Sequence, residues 1–275
     1  MGDVNISAIM RFEVAMNDHC LYELPTPLVF AHRGAKKYAP ENTLASFSKA
    51  LALGAQAIEL DVTLSKDGEI VVIHDDTLDR TTNGSGSVDA MTLQELKELD
   101  AGSHFSSEYS DERIPTLAEV FEMVCDKAII NVELKDAGKR NTLLVERTVA
   151  LVRSHCMQRQ VIFSSFIPEN VRGVRSELPD CPVGLLTLPG LPGRVEYFLM
   201  SNLSPQLIHP HHSTLSKRFI KRQHARGRRV HTYTVNEVTL MRRLTAWGVD
   251  GFFCDDIPLA QKTLAEIREA GKSLL

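Results

Sequence analysis

Eight short β-like runs alternate with helical patterns from about residue 28 to the end of this 275-residue chain. Such alternation is typical of α/β proteins, in which each helix connects two parallel strands. Eight of these units need about 250 residues to close into a barrel, and the chain provides that length. The sequence therefore predicts a (β/α)8 TIM barrel, with an open doubly wound sheet as the alternative. The predicted strands are residues 28–32, 57–62, 129–134, 161–165, 183–187, 206–209, 229–235 and 250–254.

A hairpin is predicted after the second strand, within the stretch AIELDVTLSKDGEIVVIHDD (57–76). The run SKDG is a turn signal, and EIVVIH after it alternates like a returning strand. If the chain folds back at this turn, His74 lies next to Asp61. The long polar segment 76–115 that follows is predicted to be a small insertion that covers one end of the barrel, because structureless loops of this length are uncommon inside compact domains.

The predicted helices have recognisable starts. Asn42 is predicted to begin the first helix, and Pro168 suits the first turn of another. The segments Thr92–Glu95 and Thr116–Glu119 have the S/T-x-x-E spacing of a capping box. No linker or low-complexity segment divides the chain. We therefore expect one barrel domain over residues 27–275, preceded by a short N-terminal extension over residues 1–26.

Charge and cysteine usage narrow the class of partner and the cellular location. The net charge of −4 shows no basic excess, so a nucleic-acid partner is not expected. The basic cluster at 217–229 has helical spacing and is predicted to be a solvated helix face. Five cysteines without C-x-x-C spacing indicate reduced thiols and a cytoplasmic location. The first 26 residues lack a signal pattern, and no apolar run is long enough for stable membrane insertion. The sequence leaves the oligomeric state open.

Carboxylates lie on the expected inner face of two predicted strands, at the end where barrel active sites are found. Glu59 and Asp61 alternate along one strand with apolar neighbours, and Glu133 does so in INVELK. In barrels of this kind, residues at the carboxyl ends of the strands form the active site. Several buried carboxylates at one place need a cation to offset their charge. An all-oxygen ligand set suits Mg²⁺ or Ca²⁺ rather than zinc.

Histidines and basic residues are predicted to surround this cation. His32 and Arg33 end the first strand, His74 returns on the hairpin, and Lys135 follows Glu133. Two imidazoles suit a general acid and a general base. Arginine and lysine suit the charge of a phosphoryl group. Together these residue types predict hydrolysis of a phosphodiester.

With those residues in place, the chain resembles the glycerophosphodiester phosphodiesterase family from residue 28 onward. The family's segments occur in order along the chain. They are AHRGAKKYAPENT (31–43), AIELDVTLSKDGEIVVIHDDTLDRTTNG (57–84), MTLQELKELDAG (91–102), ERIPTLAEVF (112–121), INVELK (130–135), TYTVN (232–236) and GVDGFFCDD (248–256). The resemblance implies a TIM-barrel hydrolase of glycerol and lipid metabolism. It would release sn-glycerol 3-phosphate and an alcohol from a small phosphodiester substrate.

The resemblance also implies a role for each matching residue. His32 and His74 would be the acid–base pair, and a divalent cation would bind the three residues Glu59, Asp61 and Glu133. Substrate contacts would come from Arg33, Lys135, Glu41 and Tyr233. The insertion at 76–115 would cover the glycerol side of the pocket.

Two departures from the family pattern concern substrate contacts. Tyr233 stands where the family usually has tryptophan. Cys254-Asp255 replaces the commoner Thr-Asp pair, which leaves substrate contacts from the last strand open.

Three alternatives remain open at this point. Hydrolysis of lysophospholipids in the manner of a lysophospholipase D would need an apolar groove, for which LLTLPGLPGRVEYFLM (185–200) is the candidate. A catalytically inactive headgroup-binding protein would be expected to lack a histidine or an acidic ligand, and none of the five is missing. A second metal site at His209, His211 and His212 is conceivable, although a loop lining the pocket fits this position better.

Overall fold

In the computed structural model, eight parallel strands form a closed barrel that helices surround. The structure describes residues 19–135, 141–193, 195, 203 and 206–272. The strands are β1 (Leu28–Ala31), β2 (Ala57–Leu64), β3 (Ile70–Val72), β4 (Ile129–Leu134), β5 (Val161–Ser165), β6 (Val183–Thr187), β7 (Leu207–Pro210), β8 (Arg229–Thr232) and β9 (Gly251–Cys254). Their order is β1-β9-β8-β7-β6-β5-β4-β2, and the pairing of Phe30 in β1 with Ala57 in β2 closes the ring. This closure confirms the predicted TIM barrel and excludes the open sheet.

Helices cover the outside of the barrel because every strand presents an apolar row to them. In β2 this row is Ile58, Leu60, Val62 and Leu64, all buried in the main apolar cluster. The helices are α1 (Leu44–Ala52), α2 (Leu93–Glu98), α3 (Leu117–Val124), α4 (Asn141–Ser154), α5 (Pro168–Glu177), α6 (Lys217–His224), α7 (Val238–Trp247) and α8 (Ile257–Lys272). Both predicted capping boxes form, at the starts of α2 and α3. Across the described residues, no helix combines the length and apolarity that a membrane span requires.

The start of α1 differs from the prediction. Thr43, rather than Asn42, caps the helix, with its side chain accepting the Ser46 N–H. Asn42 has a left-handed backbone conformation with φ of 57°, and its Nδ2 donates to Asp61 Oδ2 at 3.0 Å. The expected capping role of Asn42 was therefore wrong. The neighbouring Thr43 caps the helix, and the Asn42 side-chain amide binds Asp61.

Residues before the predicted domain boundary close the amino-terminal end of the barrel. A 3-10 helix, Cys20–Glu23, places Leu21 in a buried cluster with Leu28, Phe30 and Leu207. Arg229 in β8 donates to the Leu21 carbonyl at 2.9 Å. Residues Cys20–Glu23, which lie before the boundary predicted after residue 26, therefore pack against the barrel strands.

The hairpin has the predicted register. Val62 pairs with Val72 and Leu64 with Ile70 in an antiparallel ladder, and the Ile73 N–H donates to the Asp61 carbonyl at 3.1 Å. His74 therefore follows directly after the residue that pairs with Asp61. The segment 76–115 then packs on this hairpin around its own apolar cluster, which includes Val71, Ile73, Leu78, Val88, Leu96, Ala101 and Ile114.

Two buried histidines fill the middle of the barrel, where the strands carry glycines. His231 Nδ1 lies 3.2 Å from His209 Nε2, and both rings pack near Phe253 or Phe30. A Cβ on Gly184 would lie only 2.6 Å from the His209 ring. Burial lowers the pKa of His209 to about 3, so the ring stays neutral. Glycine on β6 therefore makes room for an imidazole from β7.

Replacing Gly184 with alanine is expected to reduce the free energy of unfolding by about 1–3 kcal/mol, since the new methyl group would overlap a buried ring. Urea denaturation of both proteins measures the difference. Gly271→Ala in α8 is the matched control, because a Cβ there meets no atom within 4 Å. If G184A were as stable as G271A, the packing of His209 against β6 described above would be incorrect.

Candidate active site

A cavity of about 390 Å³ opens at the carboxyl ends of the strands. Its lining combines charged groups with apolar and aromatic groups. The lining residues are His32, Arg33, Glu59, His74, Asn131, Glu133, Lys135, Ser164, Phe166, Leu186, His211, His212, Tyr233, Thr234 and Phe253. Seven of the nine predicted site residues therefore line one cavity, and the other two, Asp61 and Glu41, contact Arg33 in its wall.

The three predicted metal ligands converge. Ligand oxygens of Glu59, Asp61 and Glu133 lie within 4.8 Å of one another, and all three residues are buried. Strand register explains this, because Asp61 in β2 pairs directly with Glu133 in β4. Burial and the neighbouring carboxylates raise the pKa of Glu59 well above its usual value, and burial and Asp61 raise that of Glu133 to about 7. The negative charge at this point is thus only partly compensated by the protein.

This donor set fits a hard divalent cation. Mg²⁺ and Ca²⁺ are bound by carboxylate and amide oxygens, and these three residues offer carboxylates only. Asn131 lines the same cavity, and its Oδ1 is buried without a hydrogen-bond partner among the described residues. The Asn131 Nδ2 donates to Ser164 Oγ at 2.9 Å. Asn131 Oδ1, on the other side of the amide, therefore does not face Ser164. No second group of metal-binding side chains converges elsewhere in the described part of the chain.

The two predicted phosphate-binding cations contact these carboxylates. Lys135 Nζ lies 3.1 Å from Glu133 and 3.7 Å from Asp61. The Arg33 backbone N–H donates to Glu59 Oε2 at 2.8 Å, and its Nε lies 3.5 Å from Asp61. Burial lowers the pKa of Lys135, but Glu133 and Asp61 outweigh it and raise the pKa overall. Both side chains therefore stay charged at the edge of the cavity.

His32 is held by an aspartate that the sequence analysis did not assign. Asp255 Oδ1 lies 2.6 Å from His32 Nδ1, and Asn236 donates to Asp255 Oδ2 at 2.7 Å. Because Ala31 pairs with Cys254, His32 and Asp255 extend side by side from neighbouring strands. The pairing of the first and last strands in a closed barrel was the signal that could have identified Asp255.

His74 has a matching partner next to it in the chain. Asp75 Oδ1 lies 2.5 Å from His74 Nδ1. Burial lowers the pKa of His74, although the nearby Asp61 opposes this shift. In both histidines the Nδ1 atom is bound by a carboxylate, which leaves Nε2 as the ring nitrogen available to the cavity.

The remaining predicted residues lie at the periphery of the site. Tyr233 lines the cavity, and its hydroxyl donates to the Thr187 carbonyl at 2.6 Å. Glu41 accepts from Arg33 at 2.8 Å and lines a small neighbouring cavity instead. His211 and His212 line the main cavity, as the loop interpretation expected, whereas His209 lies buried inside the barrel.

The insertion at 76–115 contributes no residue to the lining of the main cavity, although the structure describes it in full. That it covers the glycerol side of the pocket stays a prediction. Its apolar side chains cluster with Val71 and Ile73, so it packs against the hairpin.

Fold and site together define the class: a TIM-barrel hydrolase with a carboxylate cluster, two carboxylate-bound histidines and two cations in one cavity. The family model described as "Glycerophosphoryl diester phosphodiesterase family" matches residues 32–259. A glycerophosphodiester phosphodiesterase of Caldanaerobacter subterraneus subsp. tengcongensis is 41% identical over 231 residues, which cover 83% of this chain and 94% of that one. The chain belongs to the glycerophosphoryl diester phosphodiesterase family.

Solved structures agree with this membership. An Oleispira antarctica phosphodiesterase, in complex with the product sn-glycerol-3-phosphate, has a TM-score of 0.81 and 34% identity, covering 87% of this chain and 97% of that one. A glycerophosphodiester phosphodiesterase from Thermotoga maritima has a TM-score of 0.71 and 28% identity, covering 87% and 99%.

Mg²⁺ or Ca²⁺ is expected to stabilise the folded protein through the carboxylate cluster. A cation at about 100 times its Kd would add about 2.7 kcal/mol to the free energy of unfolding. Thermal unfolding with and without each metal measures this gain. Glu59→Gln should lose it, whereas Glu69→Gln should keep it, since Glu69 lies on the exposed hairpin turn and contacts Arg147. An equal gain in both variants would place the cation elsewhere.

Proposed function

We propose that this protein hydrolyses glycerophosphodiesters to sn-glycerol 3-phosphate and an alcohol, in a metal-dependent reaction with His32 and His74 as the acid–base pair. The observation that carries the proposal is the shared cavity: both imidazoles face it together with the carboxylate cluster, Arg33 and Lys135. The product bound to the Oleispira antarctica structure supports the choice of substrate.

The matching carboxylate contacts of the two histidines support opposite proton transfers by them. Each imidazole is bound through Nδ1 to an aspartate, which fixes the tautomer and orients Nε2. One ring takes the proton from the attacking hydroxyl group and the other gives a proton to the departing oxygen. Attack by water and attack by the glycerol hydroxyl group of the substrate both need such a pair.

Arg33 and Lys135 bind the phosphate in this proposal. Their positive charge faces the developing negative charge of the phosphoryl oxygens and is fixed in place by the carboxylates that hold them. Glu59, Asp61 and Glu133 would hold the divalent cation. When bound, the cation supplies Lewis-acid polarisation of the phosphate.

The first test is release of glycerol 3-phosphate from glycerophosphocholine with Mg²⁺, with Ca²⁺ and with EDTA. Activity is expected with metal only, and His32→Ala and His74→Ala should each lower kcat by about 10²–10⁴-fold. His224→Ala is the matched control, because His224 forms a similar pair with Asp250 at 2.7 Å on the surface. Activity that survives EDTA, or that falls equally in H224A, would contradict the mechanism.

A second candidate function, hydrolysis of lysophospholipids, rests on the apolar part of the cavity lining. This part includes Phe166, Leu186 and Phe253. Leu188 and Leu191, just beyond the end of β6, are 49% and 72% exposed. A lipid chain leaving the cavity past Leu186 would meet them. The candidate groove at 185–200 continues into residues 194 and 196–200, which lie outside the described part of the chain.

Replacing Leu188 and Leu191 with serine is expected to lower kcat/KM for lysophosphatidylcholine about a hundredfold, since each leucine buried against a lipid chain contributes about 1.5 kcal/mol. The kcat/KM for glycerophosphocholine should not change, because that substrate has no acyl chain. Parallel assays of both substrates measure the difference. Equal effects on both substrates, or none on either, would argue against an acyl-chain site here.

A further inference from the structure

Arg80 lies at the centre of a chain of ion pairs that connects the two sides of the active site. Its Nε and Nη2 donate to Asp75 at 2.6 and 3.1 Å, and its Nη2 also donates to Glu41 at 2.7 Å. Asp75 in turn binds His74 at 2.5 Å, and Glu41 accepts from Arg33 at 2.8 Å. Charged groups of alternating sign thus run from one predicted catalytic residue to a predicted phosphate ligand.

These partners come from three separate parts of the chain. Arg33 and Glu41 follow β1, whereas His74 and Asp75 follow the hairpin strand β3. Arg80 belongs to the insertion at 76–115, whose backbone is anchored by its own apolar cluster. The insertion does not line the main cavity, but Arg80 binds Glu41, and Thr81, Ala101 and Ile114 line a small cavity beside Glu41 and His74.

The geometry of Arg80 is suited to fixing both partners. A guanidinium group is planar and presents its N–H donors in a rigid fork, so two carboxylates bound to it cannot move independently. Burial raises the pKa of Glu41, but Arg80 and Arg33 outweigh it and lower the pKa to about 2. Glu41 therefore remains a charged acceptor at any working pH.

Exposure indicates that the chain of ion pairs is not mainly a source of stability. The Arg80 side chain is 48% exposed and Asp75 28%, although Glu41 is only 7% exposed, and ion pairs that water reaches add little to the free energy of unfolding. An orienting role is consistent with this, because the direction of a side chain can be fixed by bonds that contribute little net stability.

We propose that Arg80 is a positioning residue that orients His74 through Asp75 and Arg33 through Glu41, and so sets the separation between the proton-transfer group and the phosphate site. The inference rests on the proposed function for its kinetic consequences. Its structural part, the orientation of His74, holds independently of the substrate.

Three variants distinguish the effect of Arg80 on His74 from its effect on Arg33 in the glycerophosphocholine assay. Asp75→Asn should mainly lower kcat, because it releases His74, and Glu41→Gln should mainly raise KM, because it releases Arg33. Arg80→Ala should do both and lower kcat/KM about 100-fold, the scale expected when a reacting group is displaced by about 1 Å. The double variant Arg80→Ala/Asp75→Asn should lose much less kcat than the product of the two single losses. This is expected because both residues act on His74 through the same contact.

Arg113→Ala is the matched control for the insertion. Arg113 lies in the same segment but donates to the backbone carbonyls of Ser110 and Glu112. Millimolar guanidinium chloride should partly restore kcat/KM in R80A, because the vacated position is open to solvent, and should have no effect on R113A. A residue that only stabilised the fold would not respond in this way.

Proton NMR of the metal-free protein tests the structural part without substrate. The low-field Nδ1–H resonance of His74 should be present in the wild type and in R113A, and lost or broadened in R80A and D75N. If the wild type is active but R80A keeps its kcat, its KM and this resonance, the positioning role is wrong. If the wild type is inactive while the resonance behaves as expected, the proposed function fails and the orientation of His74 stands.

Discussion

The cost of burying three carboxylates at one point shapes everything around the active site. Glu59, Asp61 and Glu133 lie within 4.8 Å of one another at the top of β2 and β4, where their mutual repulsion and loss of hydration oppose ionisation. Arg33 and Lys135 offset part of this charge, and Asn42 donates a hydrogen bond to Asp61. A divalent cation would offset the rest. Arg33 and Lys135, which offset the charge of the carboxylates, are also suited to binding a phosphate. One electrostatic constraint therefore accounts for the carboxylates and for the cations beside them.

The two histidines of the site share one arrangement but differ in what supports it. Asp255 binds His32 and is itself held by the neutral amide of Asn236. Asp75 binds His74 and is held by the guanidinium of Arg80. The first support comes from the closure of the barrel between β1 and β9, and the second from the insertion. The insertion thus contacts the supports of the site through the charged group of Arg80, whereas its apolar side chains pack with one another and with the hairpin.

Much of the fold and of the site could be predicted because the relevant signals are local. Alternation in β2 and β4 placed Glu59, Asp61 and Glu133 on the inner face, and the turn at SKDG set the hairpin register that returns His74. The contributions of Asp255, Arg80 and Asn42 could not be read in the same way. Asp255 is 223 residues from His32, and Asn42 occupies a position where a helix cap was equally reasonable. The residues around Arg80 in the sequence do not indicate that its guanidinium group binds Asp75 and Glu41.

By itself, the sequence determined the fold class, the position of the catalytic end of the barrel and the types of residue gathered there. It could do so because strand periodicity and the one-sided location of barrel active sites depend on spacing along the chain. The tertiary structure alone decided which side chains bind His32 and His74 and where the insertion packs. It also decided that His209 contacts His231 inside the barrel, next to Gly184, where a larger residue would overlap the His209 ring. These outcomes depend on the closure of the ring and on side-chain reach between distant segments, which no pattern of neighbouring residues encodes.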